Sequence, residues 1–289
     1  MRLREIYNKK SKEKKLPISF EVFPPKNEDE NKINELVENL KILNKFNPSL
    51  ISVTYGAGGS SRDRTEFVCK KIKNELNANV MPHLTCICSS KELLKKQVKD
   101  IEQAGIENIL ALRGDIPNNY VRPEGEYLKY ASEMVQFVKE NTSLSIGVAG
   151  YPEGHSQAES FEKDLEYLKL KIELGAEAIF TQLFFDNSIF MHFLDKVSEY
   201  NITAPIVAGI LPVTNLDKIR KMPDMWRVTI PKKIEQKFEK YTKKEDLEKV
   251  GIEIAVEQIE ELKTCGIAGL HFYTLNKSHM VSEILKAIR

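Results

Sequence analysis

Glu21 lies in the run Ser19-Phe20-Glu21-Val22-Phe23, just ahead of Pro24-Pro25. Apolar neighbours disfavour the charged form of a carboxyl group, so this setting suits a general acid. An ion-paired structural glutamate is the other reading of the same residue. Leu112-Arg113-Gly114-Asp115 sets one cation and one carboxylate around a glycine. A cofactor can lie against such a backbone, oriented by both charges, or an Arg–Asp pair can simply stabilise a turn. His83 and Thr85 are two apart and share one strand face, where a histidine is either a ligand contact or a hydrogen-bonded core residue. Thr54-Tyr55-Gly56-Ala57-Gly58-Gly59, followed by Arg62 and Arg64, is small enough for close approach to a ligand and equally serviceable as plain loop. Tyr151 and His155 supply an aromatic face and an imidazole, Gln182 a neutral donor and acceptor, and Tyr273 and Asn276 complete the set.

Several chemistries find no residues to carry them. Cys69, Cys86, Cys88 and Cys265 lack the paired spacing of zinc or iron–sulfur sites, so no metal is expected and the thiols read as reduced, small hydrophobes. Cys86 and Cys88, two apart on an expected strand, would face the same way. There is no G-x-S-x-G, P-loop, H-E-x-x-H or dinucleotide-binding glycine fingerprint. One acid, several neutral polar groups and no nucleophile pattern point to an organic cofactor that carries the difficult chemistry.

These residues need a scaffold that brings strand ends together. Short β-rich apolar runs alternate eight times with longer amphipathic stretches, the pattern of βα units. The strand candidates are 17–23, 49–55, 78–87, 108–114, 144–151, 178–185, 204–211 and 269–276. Gly105, Gly175 and Gly266 each follow a helix-like stretch, in the place of a C-terminal cap. Eight such units predict a single-domain (β/α)8 TIM barrel, α/β in class, for which a chain of 289 residues is the right length. Residues 1–15 read as an N-terminal extension and about 223–248 as an insertion after the seventh strand. In a barrel the chemistry gathers at the C-terminal ends of the strands, where the residues above fall.

Lys and Arg together number 43 and Asp and Glu 42, with both signs interspersed. Neither nucleic acid nor a membrane surface is an expected partner of so balanced a chain. No apolar stretch of signal-peptide length follows the basic first fifteen residues, which predicts a cytoplasmic protein.

Taken in order, SFEVFPPK, SVTYGAGG, PHLTCI, ALRGD, YPEGH, TQLFFD, GILPV and HFYTLN resemble the motif series of methylenetetrahydrofolate reductases, from about Ile18 to the C-terminus. The resemblance implies FAD along the top of the barrel, or FMN in its place. The matching positions are Thr54, Tyr55, Ala57, His83, Leu112, Arg113, Gly114, Asp115, Ala131, Tyr151, His155, Ala158, Asp164 and Lys171. Arg113, His155 and Lys171 would meet the phosphates and ribose, and Asp115 the flavin ring and the pterin. The family's general acid falls on Glu21 and its contact to both folate and nicotinamide on Gln182, with Met222, Tyr273 and Lys277 further along the substrate site. The implied reaction is ping-pong: NAD(P)H, with NADH as the expected donor, passes a hydride to flavin N5. 5,10-Methylenetetrahydrofolate then takes the same face and, with Glu21 protonating N10, leaves as 5-methyltetrahydrofolate.

Two positions depart from the family's pattern. Met222 stands where well-known bacterial members have Phe and Lys277 where they have Arg, so a flat stacking surface and a bidentate fork are both lost. The chain ends at Arg289, so the regulatory C-terminal domain of eukaryotic members, with its control by S-adenosylmethionine, is not expected. The resemblance also implies a homo-oligomer, or a catalytic subunit fed electrons by an iron–sulfur partner. A barrel lyase or aldolase would want a Schiff-base lysine or metal ligands at a strand end, and a silent scaffold would have lost Glu21 or Asp115.

Overall fold

A computed structural model describes residues 1–7, 16–25, 29–56, 62–117, 120–121, 124–220 and 228–288. Along the chain run α1 (Leu3–Ile6), β1 (Ile18–Val22), α2 (Glu30–Asn44), β2 (Leu50–Val53), α3 (Arg62–Leu76), β3 (Val80–Thr85), α4 (Lys91–Gln103), β4 (Asn108–Leu112) and α5 (Ala131–Asn141). The second half contains β5 (Ser145–Gly150), α6 (Phe161–Glu173), β6 (Ala178–Thr181), α7 (Asn187–Glu199), β7 (Ile206–Ile210), α8 (Leu216–Arg220), α9 (Lys232–Phe238), α10 (Lys244–Leu262), β8 (Gly269–Tyr273) and α11 (His279–Ala287). The strands are parallel and pair in sequence order, and β1 closes on β8. The expected (β/α)8 barrel is therefore the fold.

Each strand stops short of the apolar run that announces it: 78–87 becomes Val80–Thr85, and 269–276 becomes Gly269–Tyr273. The residues left over at the C-terminal ends leave the sheet and form the mouth. Cys86 and Cys88 are among them. They lie beyond β3 in a loop and not side by side on a strand, with Cys86 Sγ against the carbonyls of Arg113 and Tyr130. All four thiols are free.

Alternation along the strands divides the interior in two. Phe20, Val22, Ile51, Val53, Leu84, Ile179, Leu270 and Phe272 point outward and join helix residues such as Leu36, Leu40, Val68 and Val98 in the main core. Ser19, Glu21, Ser52, His83, Phe180, His271 and Tyr273 meet one another inside the barrel. Gly105 and Gly175 adopt left-handed φ of +68° and +115° and end α4 and α6 with paired bonds from Gly105 N to Glu102 O and from Ile106 N to Ile101 O, and likewise after α6. Asn47, Asn77 and Asn201 hold the same left-handed region after α2, α3 and α7, a use of Asn that helix periodicity does not announce.

The N-terminal end of the barrel is closed from below. Leu3, Ile6 and Tyr7 are buried against Leu50, Met81, Leu110, Phe180 and Val207, and the Tyr7 ring meets Phe180 edge-on at 5.7 Å. Leu3 N donates to Ser145 Oγ, and Asn108 Nδ2 donates to Met1 O. A third cluster seats α8, α9 and α10 outside β6 and β7 through Leu183, Phe185, Ile219, Ile234, Phe238 and Val250. Since Leu3 is fully buried, Leu3→Ala should remove about 2–4 kcal/mol of stability through the lost contacts and the remaining void. Urea unfolding should show that as a lower midpoint with an unchanged slope.

Candidate active site

Glu21 is 7% exposed, on β1 near the upper end of the barrel interior. Phe20 and Val22, its sequence neighbours, point the other way into the outer core. Its surroundings are therefore polar, and the apolar setting expected from sequence is corrected by strand alternation. Oε2 of Glu21 lies 3.5 Å from His83 Nε2 and 3.6 Å from His271 Nε2. Burial lowers the His83 imidazole to about 4, opposed in part by the Glu21 charge, so His83 is neutral near pH 7. Its Nε2 is buried without a hydrogen-bond partner. Thr274 fixes the main chain of this residue, its Oγ1 donating to Glu21 O at 2.7 Å.

At the end of β4, Gly114 has φ +82°, and a Cβ there would stand 2.7 Å from Thr85 Cβ on β3. Only glycine meets both demands, the backbone sign and the close approach. Asp115 is exposed and, among the described residues, no ion pair joins it to Arg113, whose Nε donates to Gly114 O. The turn therefore does not rest on an Arg–Asp pair.

A basic group gathers beside it. Burial lowers Lys171 on α6 to about 8, against the raising effect of Asp164, and its Nζ donates to Ala149 O at 2.9 Å. His155 is also held below the usual imidazole range, first by burial, with Arg113 and Lys171 adding to it and Asp164 and Asp115 opposing. The loop is tightly built: His155 N donates to Asp164 Oδ2, Gln157 N to His155 Nδ1 and Ala158 N to His155 O. Tyr151 packs edge-on against His155 with ring centres 4.6 Å apart, and burial raises its phenol. Ala131 begins α5 next to the Tyr130 carbonyl that meets Cys86.

Around the rim, Thr54 N donates to Val22 O, and Thr54 O accepts from Thr65 Oγ1. Tyr55 directs its hydroxyl to Gln97 of α4 at 2.7 Å, so its ring packs against the outer core. Gln182 N donates to Gly150 O, and its Oε1 accepts from Leu183 N. Tyr273 crosses the barrel and donates to Thr181 O at 2.8 Å, in space left by Gly209, where a Cβ would come within 2.9 Å of its ring. Burial raises its phenol, with Glu21 and Tyr151 adding to the effect. Leu112 is half-buried under the mouth and Lys277 is exposed beyond it. Ala57 and Met222 lie outside the described residues.

Two contributors escape a reading of motifs: His271 and Ser52 face Glu21 from β8 and β2. Asn276, singled out by sequence, clamps the end of β1, accepting from Phe23 N and donating to Phe23 O, both at 2.8 Å. Alternation signals the first two, since His271 shares a face with Tyr273 and a buried strand seldom turns polar residues inward without use. Glu153 also reaches across the mouth to accept from Thr229 N. No group of three His, Cys, Asp or Glu among the described residues is disposed to hold a metal. No helix among them is long and apolar enough to cross a membrane.

Comparison with known proteins gives the site a context. A solved barrel of 13% identity, "Uncharacterized protein from Clostridium thermocellum binds two copies of 5-methyl-5,6,7,8-tetrahydrofolic acid", superposes with a TM-score of 0.69 over 100% of this chain and 98% of that one. The 5,10-methylenetetrahydrofolate reductase of Escherichia coli is 38% identical over 264 residues, 91% of this chain and 87% of the relative. That of Pectobacterium carotovorum is 37% identical over 267 residues, 92% and 88% of the two chains. "Methylenetetrahydrofolate reductase (NADH) 1" of Zea mays is 35% identical over 283 residues, which is 93% of this chain but 47% of the plant protein. With the family model for Methylenetetrahydrofolate reductase matching residues 6–289, the chain belongs to the methylenetetrahydrofolate reductase family.

Proposed function

We propose that the protein reduces 5,10-methylenetetrahydrofolate to 5-methyltetrahydrofolate with electrons from NAD(P)H through a bound flavin, and that Glu21 is the acid. The observation that carries this is Glu21 itself, a buried carboxyl at the barrel mouth whose Oε2 faces two imidazoles. The residues present fit a flavin nucleotide. Arg113 and Lys171 each disfavour the charged form of His155, and a diphosphate beside the three would relieve that repulsion. Gly114 keeps the β4 loop tight against Thr85, leaving a bare backbone for a ring to lie on. Bound there, the flavin would accept a hydride from the nicotinamide and pass it on to the folate through N5. FAD fits the family reading, with FMN as the alternative, and NADH as donor is supported by the name of the plant relative.

The chain's own residues would bind, orient and protonate. Arg113, His155 and Lys171 would hold the cofactor's phosphates and ribose, and Asp115, exposed at the mouth, would face the flavin ring and pterin. Gln182 would serve folate and nicotinamide in turn, because a carboxamide both donates and accepts. Glu21 would give its proton to N10, opening the five-membered ring to an N5 iminium that is ready for reduction. Tyr273 stays uncharged beside Glu21 because burial raises its phenol. Lys277 at the rim would attract the carboxylate tail of the folate as a point charge.

The purified protein should be yellow, bleach with NADH under anaerobic conditions and regain colour with methylenetetrahydrofolate. A colourless protein that takes up no added flavin would overturn the proposal, and bleaching only by a reduced partner protein would replace NADH as donor. Glu21→Gln should still be reduced by NADH but lose folate reduction by about 10²–10⁴-fold in single turnover. Unchanged folate turnover in that variant would remove Glu21 from the role.

Lys171 supplies a pH test. Its folded value, about 8, lies below the ordinary 10.5, so between those values the unfolded chain binds the additional proton and this group's contribution to stability rises with pH. A phosphate beside it favours the ammonium, so flavin binding above about pH 8 should take up a proton, and affinity should fall by up to about tenfold per pH unit. Calorimetry in buffers of different ionisation heat reads that uptake directly, and Lys171→Met should abolish it.

A further inference from the structure

His271, 1% exposed and two residues before Tyr273 on the same face of β8, takes no part in the chemistry above. Its surroundings hold the ring in one place. Ser19 Oγ donates to the Leu270 carbonyl at 3.2 Å and lies 2.8 Å from His271 Nδ1. Ser19 thus grips the ring at Nδ1 while it is itself tied to the main chain of β8. The opposite ring nitrogen, Nε2, faces the carboxyl of Glu21. That nitrogen is 3.6 Å from Glu21 Oε2, with Ser52 Oγ at 3.5 Å. Packing leaves the ring little freedom: Phe180 meets it edge-on at 5.3 Å and Tyr273 at 5.5 Å.

We propose that His271 is a positioning residue for Glu21: anchored at Nδ1 by Ser19 and packed against Phe180 and Tyr273, it sets Nε2 opposite Oε2 and fixes the rotamer of the carboxyl. This deepens the reading of Glu21 as the acid and rests on it. The imidazole keeps the Glu21 side chain in one rotamer, aimed so that a folate nitrogen can take its proton. His83, neutral near pH 7, approaches the same oxygen at 3.5 Å, so Oε2 lies between two imidazoles. The Ser19–His271–Glu21 chain also joins β1 to β8 twice, by the backbone ladder and by side chains.

The experiment separates the two half-reactions on the flavin-loaded enzyme: reduction by NADH, and reoxidation by methylenetetrahydrofolate in single turnover. His271→Asn keeps an atom in the place of Nδ1 for Ser19 but none in the place of Nε2, whereas His271→Gln puts an amide where Nε2 was. The ratio of the folate rate to the NADH rate should fall by about ten- to hundredfold in H271N, as expected for a lost hydrogen bond to a reacting acid, and recover most of the way in H271Q. Ser19→Ala, which removes the anchor at Nδ1 while leaving the imidazole, should lower the same ratio by about three- to tenfold. In an E21Q background, H271N should bring no further loss. Equal slowing of both half-reactions in H271N, no recovery in H271Q, or a wild-type ratio in S19A would each overturn the proposal. Folate reduction retained by E21Q alone would instead overturn the role of Glu21 on which it stands.

Discussion

Closure of the sheet between β1 and β8 is the constraint on which the site depends. The parallel register pairs Ser19 with His271 and Glu21 with Tyr273 across that seam, so residues about 250 apart in sequence become neighbours. Side chains reinforce the backbone ladder at its upper end. Asn276 satisfies both the donor and the acceptor of Phe23, and Thr274 satisfies the carbonyl of Glu21. Leu275 and Asn276 adopt left-handed φ of +49° and +60° to make that geometry, a conformation that costs free energy for a leucine and that the surrounding hydrogen bonds must offset. Were the seam open, Glu21 would stand on a sheet edge in water, with no imidazole opposite.

A closed barrel also dictates what its interior may hold. Inward groups are removed from water, so each polar one needs a partner. The lower part is largely apolar, sealed by Leu3, Ile6 and Tyr7 against Phe180 and its neighbours, with the Tyr7 hydroxyl buried there without a hydrogen-bond partner. Above it the interior turns polar, and Ser19, Ser52 and His271 satisfy one another. His83 Nε2 alone among these is left without a hydrogen-bond partner. An unmet buried group at the functional end of a barrel fits a place where a ligand supplies what the protein withholds.

The mouth follows a different logic, that of like charges held together. Arg113, His155 and Lys171 reach one corner from β4, the β5–α6 loop and α6, and burial makes charge on Lys171 and His155 costly. Such an arrangement reduces stability without a counter-anion and stabilises the complex with one. Asp164 offsets part of the cost, raising both basic groups while its carboxylate accepts from His155 N. The electrostatics of this corner would suit the anionic cofactor proposed above.

Much of this was legible before any coordinates. Eight short β-rich apolar runs, separated by amphipathic stretches, determined the barrel, and the motifs at their ends determined the family, because such local patterns and turn residues are written in short stretches of chain. Gly105 and Gly175 were readable as caps for the same reason. The surroundings of Glu21 were not. Its neighbours in sequence, Phe20 and Val22, suggested an apolar pocket, yet alternation turns them into the outer core and leaves Glu21 facing His83 and His271. Nor could sequence disclose that Tyr55 bonds outward to Gln97 or that Arg113 and Asp115 stay unpaired. Local elements are fixed by contacts within a few residues, whereas the partner of a buried charge is chosen by closure of the whole sheet, which brings the two ends of the chain into one register.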